Sequence, residues 1–184
     1  MSDNLTWGVV GVGVVTEAIK FLYGQATESL KRWREHKGAD NPPNEIPTNN
    51  PVPDILEGNV QPLVIHLDAV GQLESEIKQV RTYLSNYADD AEDVTLDNSH
   101  LLEEVDALRR MLEAVYRQRL TFKGEQRFAS GPIVEGGVSV EEVAGYVAGV
   151  RARAMQGGFV RGIVEARNVI SGGEAVGVDI DTIG

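Results

Sequence analysis

The sequence predicts a mainly α protein with a small β element, an α+β chain. The expected order is a long N-terminal amphipathic helix, a heptad-patterned antiparallel helical hairpin, and a C-terminal helix followed by a β-hairpin. Three observations carry that expectation. Residues 7–37 hold no proline and sort polar from apolar positions at helical period. Two later segments repeat apolar residues at alternating steps of four and three, and from Val160 onward the period becomes two. The 184 residues suffice for one ordinary domain, or a small one with an attached helix and linker.

Residues 1–37 form the first predicted element, a Gly-rich amphipathic helix. Gly13, Glu17, Lys20 and Gly24 fall on one narrow stripe of the helical wheel, and Val, Ile, Leu and Phe occupy most of the rest. A charged run, Lys31 to Lys37, closes the helix before Gly38, a residue suited to a helix stop. The 22 residues from Leu5 to Ala26 are long enough to cross a hydrocarbon core, and Trp33 with its neighbouring bases suits an interface. Glu17 and Lys20 oppose insertion unless they face water, so the stripe of Gly13, Glu17, Lys20 and Gly24 is the candidate lining of an aqueous path. Gly11 and Gly13, with Thr16 at the third position, resemble the opening turn of a dinucleotide-binding fold. That fold needs a second strand ending in an acid about 20 residues later. Here a basic helix end and five prolines follow instead, so no cofactor is expected.

Residues 38–56 contain Pro42, Pro43, Pro47, Pro51 and Pro53 among asparagines. Proline removes backbone donors and fixes φ, so this segment is expected to be a semi-extended linker accessible to a protease or a regulatory protein. A short strand is expected between Val60 and Leu67. The predicted hairpin spans 57–128 and is coiled-coil-like. Leu73, Ile77, Val80, Leu84 and Tyr87 make one seam; Leu101, Val105, Leu108, Leu112 and Val115 make the other. An acidic turn, Asp89 to Asp93, separates them, and Asp97-Asn98-Ser99 offers caps for the second helix. Two isolated helices cannot hide both seams, so the ten residues are the expected oligomerisation surface.

Residues 129–184 are expected to hold a helix from Ser139, with Glu142 completing a capping box, to Met155, ending at Gly157-Gly158. A β-hairpin follows. Its expected register pairs Ile170 with Val176, Ala166 with Ile180 and Arg167 with Asp179, which sorts charged from apolar faces.

Composition narrows the function. Cysteine is absent, which removes disulfides, thiolate nucleophiles and the common zinc frameworks. His36, His66 and His100 lack ligand spacing, and Asp179 to Gly184 stops short of a calcium loop, so neither a metal site nor a catalytic one is expected. The net charge of −11 is uneven: residues 38–100 carry twelve acids against Lys78 and Arg81. No basic face exists to neutralise phosphates, so nucleic acid is not an expected partner. Arg109, Arg110, Arg117, Arg119, Lys123 and Arg127 are interleaved with acids and read as an ion-paired face. No signal-peptide pattern precedes the apolar stretch, so the expected location is the cytoplasm, with membrane association only after activation. The function expected is that of a non-enzymatic, self-assembling structural or interaction protein whose partner is itself. The alternative is a latent membrane-active, pore-forming effector, acting through residues 5–37 once the 38–56 linker is cut.

Overall fold

A computed structural model describes Trp7 and residues 10–48, 51–155 and 158–183. The chain divides into two compact units, residues 1–130 and 131–184.

Three helices dominate unit 1: α1 (Val12–His36), α2 (Leu67–Ala88) and α3 (Ser99–Tyr116). Short strands accompany them: β1 (Glu45–Pro47), β2 (Val64–His66) and β3 (Gln118–Arg119). α1 starts without a side-chain cap, but its buried positions, Val15, Ala18, Ile19, Leu22, Ala26 and Leu30, keep the helical period and form one face. That face packs into a single core with Ile77, Leu84, Leu101, Leu108 and Leu112 of α2 and α3. Close approach is helped at Gly71, where a Cβ would stand 2.8 Å from the Trp33 indole. α3 opens on Asn98, whose Oδ1 accepts from the Leu101 N–H at 3.0 Å, and ends on Arg117 in the left-handed region at φ 51°. A buried polar contact fixes the register of α1 against α3. The Tyr116 hydroxyl donates to Gln25 Oε1 at 2.6 Å, and burial raises its pKa well above the ordinary value.

Within the proline-rich segment residues 45–47 form a short strand. β1 pairs antiparallel with β2, Glu45 opposite His66 and Pro47 opposite Val64. The ladder continues past the proline, with Thr48 N–H donating to Leu63 O at 2.8 Å. An edge strand tolerates proline at its end because no donor is needed there.

His66 closes β2 and precedes α2, and its Nδ1 lies 3.7 Å from Glu45 Oε1. Burial first, then Arg117, lowers its pKa below 6.5 against the pull of Glu45 and Asp68. A depressed folded-state pKa means the unfolded chain binds the proton more readily, so this contribution is present above about pH 6.5 and is lost as pH falls through the folded value. His66→Gln is expected to flatten the fall in urea midpoint between about pH 7.5 and about pH 5 relative to the parent chain. Identical pH slopes for the two proteins would contradict the assignment.

Unit 2 departs from the expectation of a C-terminal helix plus β-hairpin, and with it falls the description of the chain as mainly α with a small β element. Among the described residues the fold is α+β with three helices and seven strands, four of them here: β4 (Gly131–Val143), β5 (Tyr146–Met155), β6 (Phe159–Val169) and β7 (Glu174–Ile183). The capping-box pair Ser139 and Glu142 lies inside β4. Five valines and Gly136, Gly137, Gly145 and Gly149 between 136 and 150 are poor helix formers, and they outweigh one favourable cap. The expected hairpin register is also overturned. β6 pairs in parallel with β4 and β7 in parallel with β5, so Ala166 stands beside Val140 and Ile180 beside Ala152. Alternation of side chains sorts the faces of a strand but does not choose its hydrogen-bonding neighbour.

Candidate assembly surface

In unit 2 the chain runs β4, turns at Ala144-Gly145, returns as β5, then repeats the course one layer on as β6 and β7. Each pair forms a rung, and the rungs stack through parallel ladders. The turns stack as well: Ile170 N–H donates to Val143 O at 3.1 Å and Glu174 N–H to Gly145 O at 2.8 Å. The second turn is two residues longer and uses Gly172 at φ +87°.

Glycines set how closely the two sheets approach. A Cβ on Gly136 would overlap the Gly149 carbonyl oxygen, and one on Gly162 would overlap that of Gly177. The alternating inward positions Val138, Val140, Val164 and Ala166 are half-buried, while Glu135, Glu141, Arg161 and Arg167 are exposed between them. Among the described residues of this unit, Val143 and Val150 are the buried large side chains. Two rungs therefore give a thin core.

The outer faces carry charge in alternation. Glu135 is the register partner of Arg161, and Arg151 of Asp179. Glu141 and Arg167 approach at 3.7 Å, Arg151 and Asp179 at 3.4 Å, and the Tyr146 hydroxyl donates to Asp179. The first rung is thus acidic on β4 and basic on β5, and the second has the opposite signs at the matched positions. Asp179, weighed above as a calcium ligand, is an ion-pair partner within a strand.

No known family, characterised protein or solved structure matches this chain. Its chemistry is accordingly read from its own residues.

The residues singled out from sequence lie in unit 1. Nine of the ten seam residues are buried, and Leu73 is half-buried against the same core. Within one chain these seams are covered by each other and by α1. Of the α1 stripe, Gly13, Glu17 and Gly24 are exposed, and Lys20 pairs with Asp90 at 2.9 Å. The apolar side of α1 is the buried one. No described helix is long and apolar enough to cross a membrane. The three histidines stand on separate elements, and among the described residues no group of three His, Asp or Glu side chains could hold a metal ion.

The basic run resolves into an ion network. Arg109, 2% exposed, meets Asp106 and Glu125 and lies over the Trp7 ring at 5.1 Å. Arg110 reaches Asp106 at 2.6 Å, and Arg127 reaches Glu113 at 3.3 Å. Glu125 Oε2 also accepts from Phe122 N–H, and Glu113 Oε1 from Leu120 N–H. Three cations face three carboxylates, two of which, Glu113 and Glu125, also satisfy loop amides, so the network staples residues 120–127 to α3.

The unit 2 surface was missed because its signal is a repeat rather than a motif. Val134, Gly136, Val138 and Val143 recur as Val160, Gly162, Val164 and Val169, each 26 residues on, and Gly149-Val150 recurs as Gly177-Val178, 28 residues on. A self-comparison of the sequence at that spacing would expose it.

Proposed function

We propose that this chain is a non-enzymatic, self-assembling structural or interaction protein of the cytoplasm, and that its C-terminal strand stack is the assembling part. The observation supporting this is an open strand edge. β6 and β7 are the last strands of their sheets, and among the described residues no further strand pairs with either. They are 11 and 10 residues long and contain no proline. A long edge of that kind is a template for another chain unless it is shortened, covered or broken. Stacked-repeat units bury a continuous core only when several are present, and two rungs leave Val164, Ala166, Val176 and Ile180 half-buried.

The membrane-active reading stands second. It requires α1 to leave the core, which would expose Val15, Ile19, Leu22 and Leu30 together.

Self-assembly is tested by sedimentation of the full chain from about 1 to about 100 μM, the range in which transient interfaces become populated. The weight-average mass is expected to rise with concentration above the 20.0 kDa of one chain. A constant 20.0 kDa across that range would overturn the proposal.

A further inference from the structure

We infer that two copies join through their β6–β7 edges about a two-fold axis, β6 pairing antiparallel with its own copy about Ile163, to give a closed dimer. This rests on the self-assembly proposed above and names its geometry. The two ends of the strand stack are unlike. At one end β4 is bordered by β3, in the sheet order β3-β4-β6, whereas β6 and β7 are the last strands of both sheets at the other. With the β4 end taken, the counterpart of one open end is the open end of another copy. A contact between like ends is isologous and closes at two chains.

The occupant is a second copy because two charges on this edge are unused within the chain and complement each other across that axis. Among the described residues neither Arg161 nor Glu165 forms an ion pair, whereas Arg167 on the same face lies 3.7 Å from Glu141. Directly opposed residues of an antiparallel pair share a face, so a two-fold register that keeps the inner faces together centres on a residue. About Ile163, Arg161 stands opposite Glu165 twice and Arg167 stands opposite Phe159. The two Ile163 side chains, each 42% exposed in a single chain, cover each other on the axis. On the inner face Val160 stands opposite Ala166, and the ladder runs over residues 159–167.

The neighbouring registers do less. About Gly162 no acid meets a base. About Val164 the arginines at 161 and 167 oppose each other, and about Glu165 the two carboxylates do; like charges directly opposite are destabilising. About Ala166 Glu165 meets Arg167, but the ladder shrinks to residues 163–169 and the arginine is the one already beside Glu141. The second sheet accepts the axis through Ile163. Gly177 of β7 lies at the same level, since a Cβ on Gly149 would stand 2.8 Å from both Gly177 O and Ile163 N. Pairing β7 with its copy about Gly177 sets Asp179 opposite Ala175 and Val176 opposite Val178, so no two acids coincide.

The test uses the full chain with Arg161→Glu and Glu165→Arg as separate variants. Each alone sets like charges opposite each other twice in its own dimer, and is expected to dimerise at least about tenfold more weakly than the parent at low salt. Mixed one to one, the variants set an acid opposite a base at both positions and should recover parental association, with added salt narrowing the differences. Sedimentation of the parent should plateau at twice the 20.0 kDa of one chain.

An independent reading needs no charge change. The chain has no cysteine, so Ile163→Cys puts a single thiol on the axis. Opposed Cα atoms about 4.5–5.5 Å apart are within reach of a disulfide, and mild oxidation should link two chains. Ser139→Cys, exposed on β4 away from that edge, should stay unlinked under the same conditions. If either charge variant loses the parental strand signal in circular dichroism, cross-linking decides: an unlinked Ile163→Cys chain overturns the register. A mixture that associates no better than its separate variants, or a parent that grows beyond two chains, would overturn the two-fold dimer while leaving self-assembly standing. A parent that stays at 20.0 kDa removes both.

Discussion

Gly162→Val is expected to abolish assembly and unfold the strand stack while leaving the helical unit intact. Gly162 points inward in β6, where a Cβ would overlap the Gly177 carbonyl oxygen and come within 3.0 Å of Val178 Cγ2. The obstructing atom belongs to the backbone of the opposite sheet, so no rotamer change relieves the overlap. Inserting even one methylene into a packed core costs about 1–3 kcal/mol. Here three heavy atoms meet a fixed carbonyl in a unit whose buried large side chains are Val143 and Val150. The margin left to absorb that strain is small. Circular dichroism should keep the helical bands of α1 to α3 and lose the strand contribution, and sedimentation should return 20.0 kDa at concentrations where the parent associates. Gly137→Val is the control. Its Cβ would meet only Ile163 O, at 4.0 Å, so stability and assembly should be unchanged within about 0.5 kcal/mol. Assembly of Gly162→Val at parental strength would show that the stack is not the assembling part.

The contrast between those two glycines also shows which features of the fold are legible in a sequence. The helices are legible because each carries its own period: Ile77, Val80, Leu84 and Leu101, Val105, Leu108, Leu112 mark the inner faces of α2 and α3, and all are buried. Asn98, among the expected caps, does accept the Leu101 N–H. What those faces touch is less legible. An apolar seam reads alike whether α1 or a second copy covers it, and α1 supplies the cover through Ile19, Leu22 and Ala26.

The strand stack was legible only in part for a different reason. Val160, Val164 and Ala166 alternate with polar residues, which identifies a strand but not its partner. Parallel stacking brings together residues a full rung apart, and neither a helical nor a strand window spans that separation. In the same stretch a local cue, Ser139 with Glu142, pointed to a helix. It lost because the glycines at 136 and 149 are needed where the sheets meet and the valines between them fill the interior.

Leu108→Asp is expected to unfold the helical unit rather than to divide an assembly. Leu108 is fully buried in α3, in a core shared with α1 and α2. Removing the leucine forfeits about 1.5–3 kcal/mol of burial. The carboxylate that replaces it has no cation at its position in the core, and burying an unpaired charge costs several kcal/mol more unless it takes a proton. Together these approach the whole stability of a typical domain, roughly 5–15 kcal/mol. Burial would raise the folded-state pKa of the new carboxyl above its unfolded value, so the folded chain holds the proton longer and the variant is least stable at neutral pH, recovering partly as pH falls toward about 4. Thermal melts followed by the helical signal should show a variant largely unfolded at 25 °C and pH 7. Leu73→Asp provides the comparison, because Leu73 is half-buried at the margin of the same core and its replacement can keep contact with water. Its loss should be smaller, about 1–2 kcal/mol. If the seam were filled by another copy instead of by α1, Leu108→Asp would remain helical and merely lose mass in sedimentation. A folded, monomeric Leu108→Asp protein would therefore place the assembly surface on the helices and not on the strand stack.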